Sequence, residues 1–161
     1  MEIREFTDAD WPRVWPIVRE VVQARDTYTY DPDLTAEDAR EIWIESPPGR
    51  TVVAVDGEEV LGTAKMGPNR PGPGSHISTA SFMVAADARG RGVGSTLCAD
   101  ALDWARSRGY AGMQFNAVTE SNVGAVKVYE RLGFHIVGTV PGAFEHPTLG
   151  RVGLHVMYCP L

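Results

Sequence analysis

The chain has 161 residues, 43% of them hydrophobic, and a formal net charge of −6. A chain of this length buries roughly two thirds of the surface it exposes when unfolded, so one domain over residues 1–161 is expected to hold without disulfide or metal staples. The acidic balance disfavours DNA or RNA as a partner, because phosphate backbones need a basic face. No apolar run approaches the ~20 residues of a membrane span, so no membrane partner is expected either.

The opening MEIREFT reads as a strand, and Thr7 or Asp8 is placed to cap a helix whose Val14, Ile17, Val18, Val21 and Val22 repeat at helical spacing. Pro12 suits a first turn, whereas Pro16 falls awkwardly deep. After the loop DTYTYDPDLT, a second helix from about Ala36 to Ile44 is expected behind Thr35 and ahead of SPPG. The period then changes to two: TVVAVDGEEVLGTAKMGP reads as two strands around Asp56-Gly57. NRPGPGS is a loop by composition, and HISTASFMV, residues 76–84, is a third strand of this group. A helix from Val93 to Arg108 closes at Gly109, a strand covers Met113 to Val118, and TESNVGAVKVYERLGF forms a short helix ending at Gly133. FHIVGTV and RVGLHVMY close the chain as strands around a loop, PGAFEHPTLG. Mixed α/β without internal repeats is the expected class.

The chemistry concentrates in DARGRGVGST, residues 87–96. A strand, a glycine loop and a helix start bring backbone N–H groups and the positive end of the helix dipole onto one point, which suits an anion. Gly90, Gly92 and Gly94 remove the Cβ atoms that would block close approach, and Arg89 and Arg91 add donors suited to phosphate. A Walker A loop would need a lysine after its last glycine, but Ser95 and Thr96 follow Gly94. A dinucleotide fingerprint would need G-x-G-x-x-G, and Ser95 stands at its third glycine. A merely flexible turn accounts for the glycines, though for neither the arginines nor the immediate helix. Four scattered histidines show no metal-ligand spacing, so no metal is expected.

Arg89-Gly90-Arg91-Gly92-Val93-Gly94 matches the R/Q-x-x-G-x-G/A pattern of the GCN5-related N-acetyltransferase (GNAT) superfamily. NVGAVKVYERLGF resembles that family's second signature: Asn122, Ala125 three later, Tyr129 four beyond, then Leu-Gly-Phe. The element order is similar along nearly the whole chain. The resemblance implies a single-domain GNAT fold, with a mostly antiparallel mixed sheet, a splayed parallel strand pair and flanking helices. It implies acetyl-CoA as donor, lying between Ser78–Val84 and Met113–Val118. Met83 and Val84 would face the pantetheine, and Arg89, Gly90, Arg91, Gly92, Val93, Gly94 and Ser95 would surround the pyrophosphate. Family members often form homodimers, which makes a dimer an expectation here too.

In such an enzyme Tyr129 stands where a hydroxyl protonates the departing thiolate; by itself it is equally a packing aromatic on an apolar face. Asn122 is similar to a cofactor-contacting Asn, and it also fits a helix N-cap. His76 has the right chemistry for substrate binding or a base at neutral pH, and the competing reading is a strand-end hydrogen bonder. The resemblance places acceptor recognition in the first helix–helix loop and the final hairpin, here RDTYTYDP and PGAFEHPTLGR, carrying Arg25, Tyr28, Tyr30, Phe144 and His146. Arginine with tyrosines suits a small carboxylate-bearing amine, while loop tyrosines also simply cover a core edge. GSHISTASFMV with QFNAV resembles the branch acting on proline analogues and small amino acids; Asn116 matches a functional Asn there, and Thr79 replaces a second. Antibiotic, polyamine or protein amines remain alternative acceptors, and a CoA-binding regulatory module without turnover remains an alternative function. Cys98 and Cys159 are too few for a disulfide framework, and MEIREF lacks a signal-peptide pattern, so reduced thiols and a cytoplasmic location are expected.

Overall fold

The computed structural model describes residues 1–161. Seven strands form one sheet, β1 (Glu2–Glu5), β2 (Arg50–Asp56), β3 (Glu59–Pro68), β4 (Ile77–Val84), β5 (Gly112–Thr119), β6 (His135–His146) and β7 (Gly150–Pro160). Their order across the sheet is β1-β2-β3-β4-β5-β7-β6. Every pairing is antiparallel except β4 with β5. Four helices complete the fold: α1 (Trp11–Ala24), α2 (Ala36–Trp43), α3 (Val93–Ser107) and α4 (Val123–Arg131). This is the mixed α/β architecture with one parallel pair that the sequence implied.

Alternation along β2 divides the core between the two faces of the sheet. Val53 and Val55 join the α1 and α2 residues Val14, Ile17, Val18, Val21, Val22 and Trp43. Val52 and Ala54 join the α3 residues Val93, Leu97, Cys98, Ala101 and Leu102 on the other face. Gly62 on β3 is what lets α3 lie so close. A Cβ there would stand 2.8 Å from the Met83 carbonyl oxygen and 3.0 Å from Val93 Cγ1. That contact fixes the start of α3 against the sheet, beside the glycine loop.

Local chemistry shifts several expected boundaries. Thr7 caps a 3-10 turn over Asp8–Asp10 rather than α1 itself. Pro16 stays inside α1 on an exposed face, where the carbonyl it leaves unpaired, that of Pro12, meets water. The β2–β3 turn is one residue later than expected: Asp56 pairs with Glu59, leaving Gly57 and Glu58 as the loop. Gly57 has φ +60, the backbone a two-residue turn with Gly in its first central position requires. The stretch PGAFEHPTLG, expected as a loop, is mostly strand, with Phe144 paired to Val152 and His146 to Gly150. Only Pro147 to Leu149 turn the chain.

Asp10 locks the first turn to β1. Its carboxylate accepts two hydrogen bonds from Arg4, at 2.7 and 2.8 Å, and two more from the Thr7 amide and hydroxyl, at 2.8 and 2.9 Å. The Arg4 bonds come first among the causes that hold this carboxyl well below the usual range, with burial opposing. A depressed carboxyl stabilises the fold at any pH above its unfolded value of about 4, and that contribution is lost as pH falls toward the folded value. Asp10→Asn is therefore expected to cost roughly 1–3 kcal/mol at pH 7 and to flatten the acid limb of the stability curve. Thermal melts from pH 7 down to pH ~3 check both; parallel acid limbs in the two proteins would contradict the assignment.

Candidate active site

The parallel partners β4 and β5 touch over two residue pairs only, Ile77 with Gly112 and Ser78 with Met113. Beyond them the strands diverge. Further along β5, Asn116 and Ala117 oppose the single residue Val156 between the Phe115–Met157 and Val118–His155 pairs. An extra residue of this kind bends the strand that carries it. The divergence opens a cleft of about 850 Å³, within the range of small-molecule sites.

One wall of the cleft is the loop into α3, with Arg89, Gly90, Gly92, Val93, Gly94 and Ser95 all lining it. Gly90 and Gly92 hold φ +78 and +81, the left-handed backbone that residues with a Cβ rarely adopt. Gly92 caps α3, and its carbonyl accepts from the Thr96 amide at 3.0 Å. The N–H groups of Val93, Gly94 and Ser95 therefore precede the first intrahelical bond and have no helical partner. Space beside Gly90 and Gly92 is open. This is an anion cradle with the dipole behind it.

The opposite wall is the loop between α1 and α2, stretched across the gap. The Tyr28 hydroxyl donates to the Phe82 carbonyl at 2.7 Å and accepts from the Phe82 amide at 3.0 Å. The Thr119 hydroxyl on β5 donates to the Thr27 carbonyl at 3.0 Å. One loop thus ties both lips. Phe82 turns its backbone groups toward the gap, so alternation aims those of Val84 the same way. Burial comes first among the causes that push the Tyr28 phenol far above its ordinary value, keeping it protonated. Tyr28→Phe leaves two buried backbone groups unpaired and is expected to cost about 1–3 kcal/mol, with a lower kcat because β4 loses its brace. Thermal denaturation and initial rates test this; wild-type values in both would release Tyr28 from that role.

Tyr129, on α4, closes the inner end. Its ring packs at 4.7 Å from Phe115, 5.9 Å from Phe134 and 6.1 Å from Phe82, centroid to centroid. Burial, then the neighbouring Tyr28 and Cys98, raise its phenol well above 10, with no hydrogen bond among the causes. The phenol therefore stays protonated, with its ring set among apolar neighbours. Asn122 lines the cleft and also caps α4, accepting from the Ala125 amide at 3.3 Å. Both readings of that residue fit one side chain.

Residues 10–134 match the family model described as Acetyltransferase (GNAT) family. The chain belongs to the GNAT family. This GNAT chain is 58% identical to a GCN5-related N-acetyltransferase of solved structure from Kribbella flavida, with a TM-score of 0.97, covering 99% of this chain and 97% of that one. It is 34% identical over 122 residues to the phosphinothricin N-acetyltransferase of Streptomyces coelicolor, covering 69% of this chain and 68% of that protein. It is also 33% identical over 86 residues to Protein SPT10 of Saccharomyces cerevisiae, covering 53% of this chain but only 13% of that protein's length.

Within the GNAT frame the expected residues separate. Met83, Val84, Tyr28, Asn116, Asn122 and Tyr129 line the cleft together with the loop. Arg91 turns outward, its guanidinium 3.4 Å from Asp56. Arg25 is exposed at the left-handed C-cap of α1 and is not among the lining residues. His76 sits at the far end of β4, where its carbonyl accepts from Ala111, and it also lies outside the cleft. Phe144 and His146 lie on the final hairpin, β6–β7, and neither lines the cleft. Arg131 lines the cleft unanticipated; spacing from Tyr129 alone would not have marked it. No histidine lines the cleft.

Proposed function

We propose that the protein transfers an acetyl group directly from acetyl-CoA to the amine of a small amino acid or amino-acid analogue. One observation carries the reading: the β4–β5 gap is flanked by an anion cradle at the start of α3 and reaches a separate polar cavity beside α2. The donor's diphosphate fits the cradle, where first-turn N–H groups, absent Cβ atoms and Arg89 converge, with Arg131 on another wall. Its amide-bearing arm fits the unpaired strand edge at Val84, beside Met83. Acetyl-CoA supplies an activated thioester.

The residues of the chain divide the remaining tasks. The Val84 amide faces the gap and donates to a carbonyl oxygen as negative charge builds on it. Tyr129 holds a proton for the departing sulfur, whose thiol pKa of about 8.5 makes protonation by a positioned phenol effective. Phe82, Phe115 and Phe134 exclude water around that hydroxyl. Asn116, exposed where β5 bulges, supplies polar contacts to the acceptor. The likeness to the Streptomyces phosphinothricin N-acetyltransferase supports an amino-acid analogue as acceptor.

The test is release of free CoA from acetyl-CoA across amino acids, proline analogues, phosphinothricin-like compounds, polyamines, aminoglycosides and peptides, with product masses. Acetylation of amino acids or their analogues is expected. Turnover confined to another class replaces the acceptor, and silence with thermal stabilisation by acetyl-CoA would favour a regulatory module. A cytoplasmic location belongs to the same reading and is supported by two buried, unpaired thiols, Cys98 and Cys159. So does a homodimer, supported by Val137 and Val140 exposed on the outer strand β6.

A further inference from the structure

Beside the main cleft lies a second cavity of about 230 Å³, on the α1 and α2 face of the sheet. The two share Tyr30, Thr79, Ala80, Ser81 and Asn116 as walls, so a molecule in the smaller cavity abuts the gap between β4 and β5. Its charged wall residues are Glu45, just past α2, and Lys65 on β3. Lys65 lies opposite Ser81 across the strands, and Gly67 opposite Thr79. Gly67 carries no side chain there, and a Cβ on it would meet Glu45 Oε2 at 3.8 Å.

Lys65 stands half-buried on the inner face of a central strand, and an ammonium that loses part of its water there needs partners in exchange. The partners it has do not saturate it. Nζ donates to the Ile42 carbonyl at 2.7 Å, lies 5.8 Å from the Trp43 ring centroid and stands 3.5 Å from Glu45 Oε1. That last separation is longer than the ~2.7–2.9 Å of a tight charge-assisted bond. With three donors on the ammonium, one firm bond and one loose one leave capacity for a ligand. Glu45, about a third exposed, is in the same condition. A loose pair of opposite charges in a small polar cavity is complementary to a molecule that itself carries both charges.

We infer that the Glu45–Lys65 pair reads the head of the acceptor amino acid, with Lys65 taking the carboxylate and Glu45 accepting from the amine, which attacks the thioester in its neutral form once its extra proton has passed to solvent. This rests on the proposed amino-acid acetylation and assigns its acceptor specificity to residues outside the loops where arginine and tyrosines suggested it. Asn116, donating to Asn69 Oδ1 at 2.7 Å and accepting from Gln114 at 2.9 Å, holds a fixed polar rim on the β5 side. Thr79 and Ser81 complete the cavity with hydroxyls on β4.

The test compares an amino acid with its own carboxamide as acceptors, in wild-type protein and in Lys65→Met, which keeps the aliphatic stem. The KM for the amino acid is expected to rise about tenfold to hundredfold in the variant. The rise in KM for the carboxamide should be much smaller than for the acid, so that the variant's preference between the two falls. A purely structural tie between α2 and β3 would shift acid and carboxamide alike, and that result overturns the inference, as does no shift at all. Lys65→Gln replaces Lys65→Met if the latter does not fold, with acetyl-CoA-induced thermal stabilisation as the check on the donor site. The two levels of the argument fail separately. A wild-type enzyme that acetylates only amines lacking a carboxylate removes the amino-acid reading. One that acetylates amino acids while Lys65→Met treats them as wild type does removes only the role of the pair.

Discussion

Gly94→Asp is expected to weaken acetyl-CoA binding by on the order of a hundredfold while leaving the fold intact. A Cβ at this position meets Val84 Cγ2 at an ordinary 3.7 Å, and Gly94, unlike Gly90 and Gly92, does not need a left-handed backbone. An aspartate in the first turn of α3 is itself favourable to the helix dipole. Its carboxylate, however, takes the place reserved for phosphate. Two unit charges about 4 Å apart interact by roughly 4 kcal/mol at an effective dielectric near 20, and solvent at the cleft mouth reduces this to about 3 kcal/mol. Every 1.4 kcal/mol or so is a factor of ten in affinity. Calorimetric titration of acetyl-CoA into the two proteins, beside their melting curves, decides the matter. An unchanged Kd in a folded variant would mean that the diphosphate lies elsewhere. Gly92→Asp is a poorer probe, since φ +81 adds backbone strain to the charge effect.

Tyr129→Phe is expected to lower kcat by about 10²–10⁴-fold and to leave the Kd for acetyl-CoA nearly unchanged. The ring that packs on Phe115, Phe134 and Phe82 is retained, so the cleft keeps its shape. Only the proton donor disappears. The raised phenol also fixes the sign of a pH effect: Tyr129 stays protonated through the range in which the acceptor amine ionises. Its deprotonation then contributes no alkaline fall in kcat below pH ~10. Steady-state rates from pH 6 to pH 10 for both proteins test the pair of statements, and a variant with wild-type kcat would leave Tyr129 a packing residue.

The glycine-loop wall of the cleft was legible because its sequence signal is local. An arginine, three alternating glycines and a helix start are contiguous in sequence, as are Asn122, Ala125 and Tyr129 on one short helix. The smaller cavity was not. Lys65 and Glu45 are 20 positions apart and meet because β3 runs under the end of α2, a tertiary fact that no period or motif encodes. Gly62 likewise reads as an ordinary strand glycine until α3 is laid over it. The reach of β6 through Pro141 and Gly142 went unseen for a different reason: turn-forming residues outweighed a ladder that resumes at Phe144 after an irregularity. Arg25 and His76 show the converse. Their side chains suit the chemistry, but neither lines the cleft.

The gap between β4 and β5 leaves strand amides and carbonyls unpaired in the middle of a sheet, which is the chemistry that makes an exposed edge strand sticky toward other chains. Here the Tyr28 hydroxyl occupies both backbone groups of Phe82, acting as a one-residue substitute for a missing strand. Thr119 fastens the same loop to the other lip. A neighbouring polypeptide would have to displace that loop before it could zip into the opening, while a slender flexible ligand entering from the α3 side need not. The bracing that shapes the cleft thereby also guards the protein against self-association through its own binding edge.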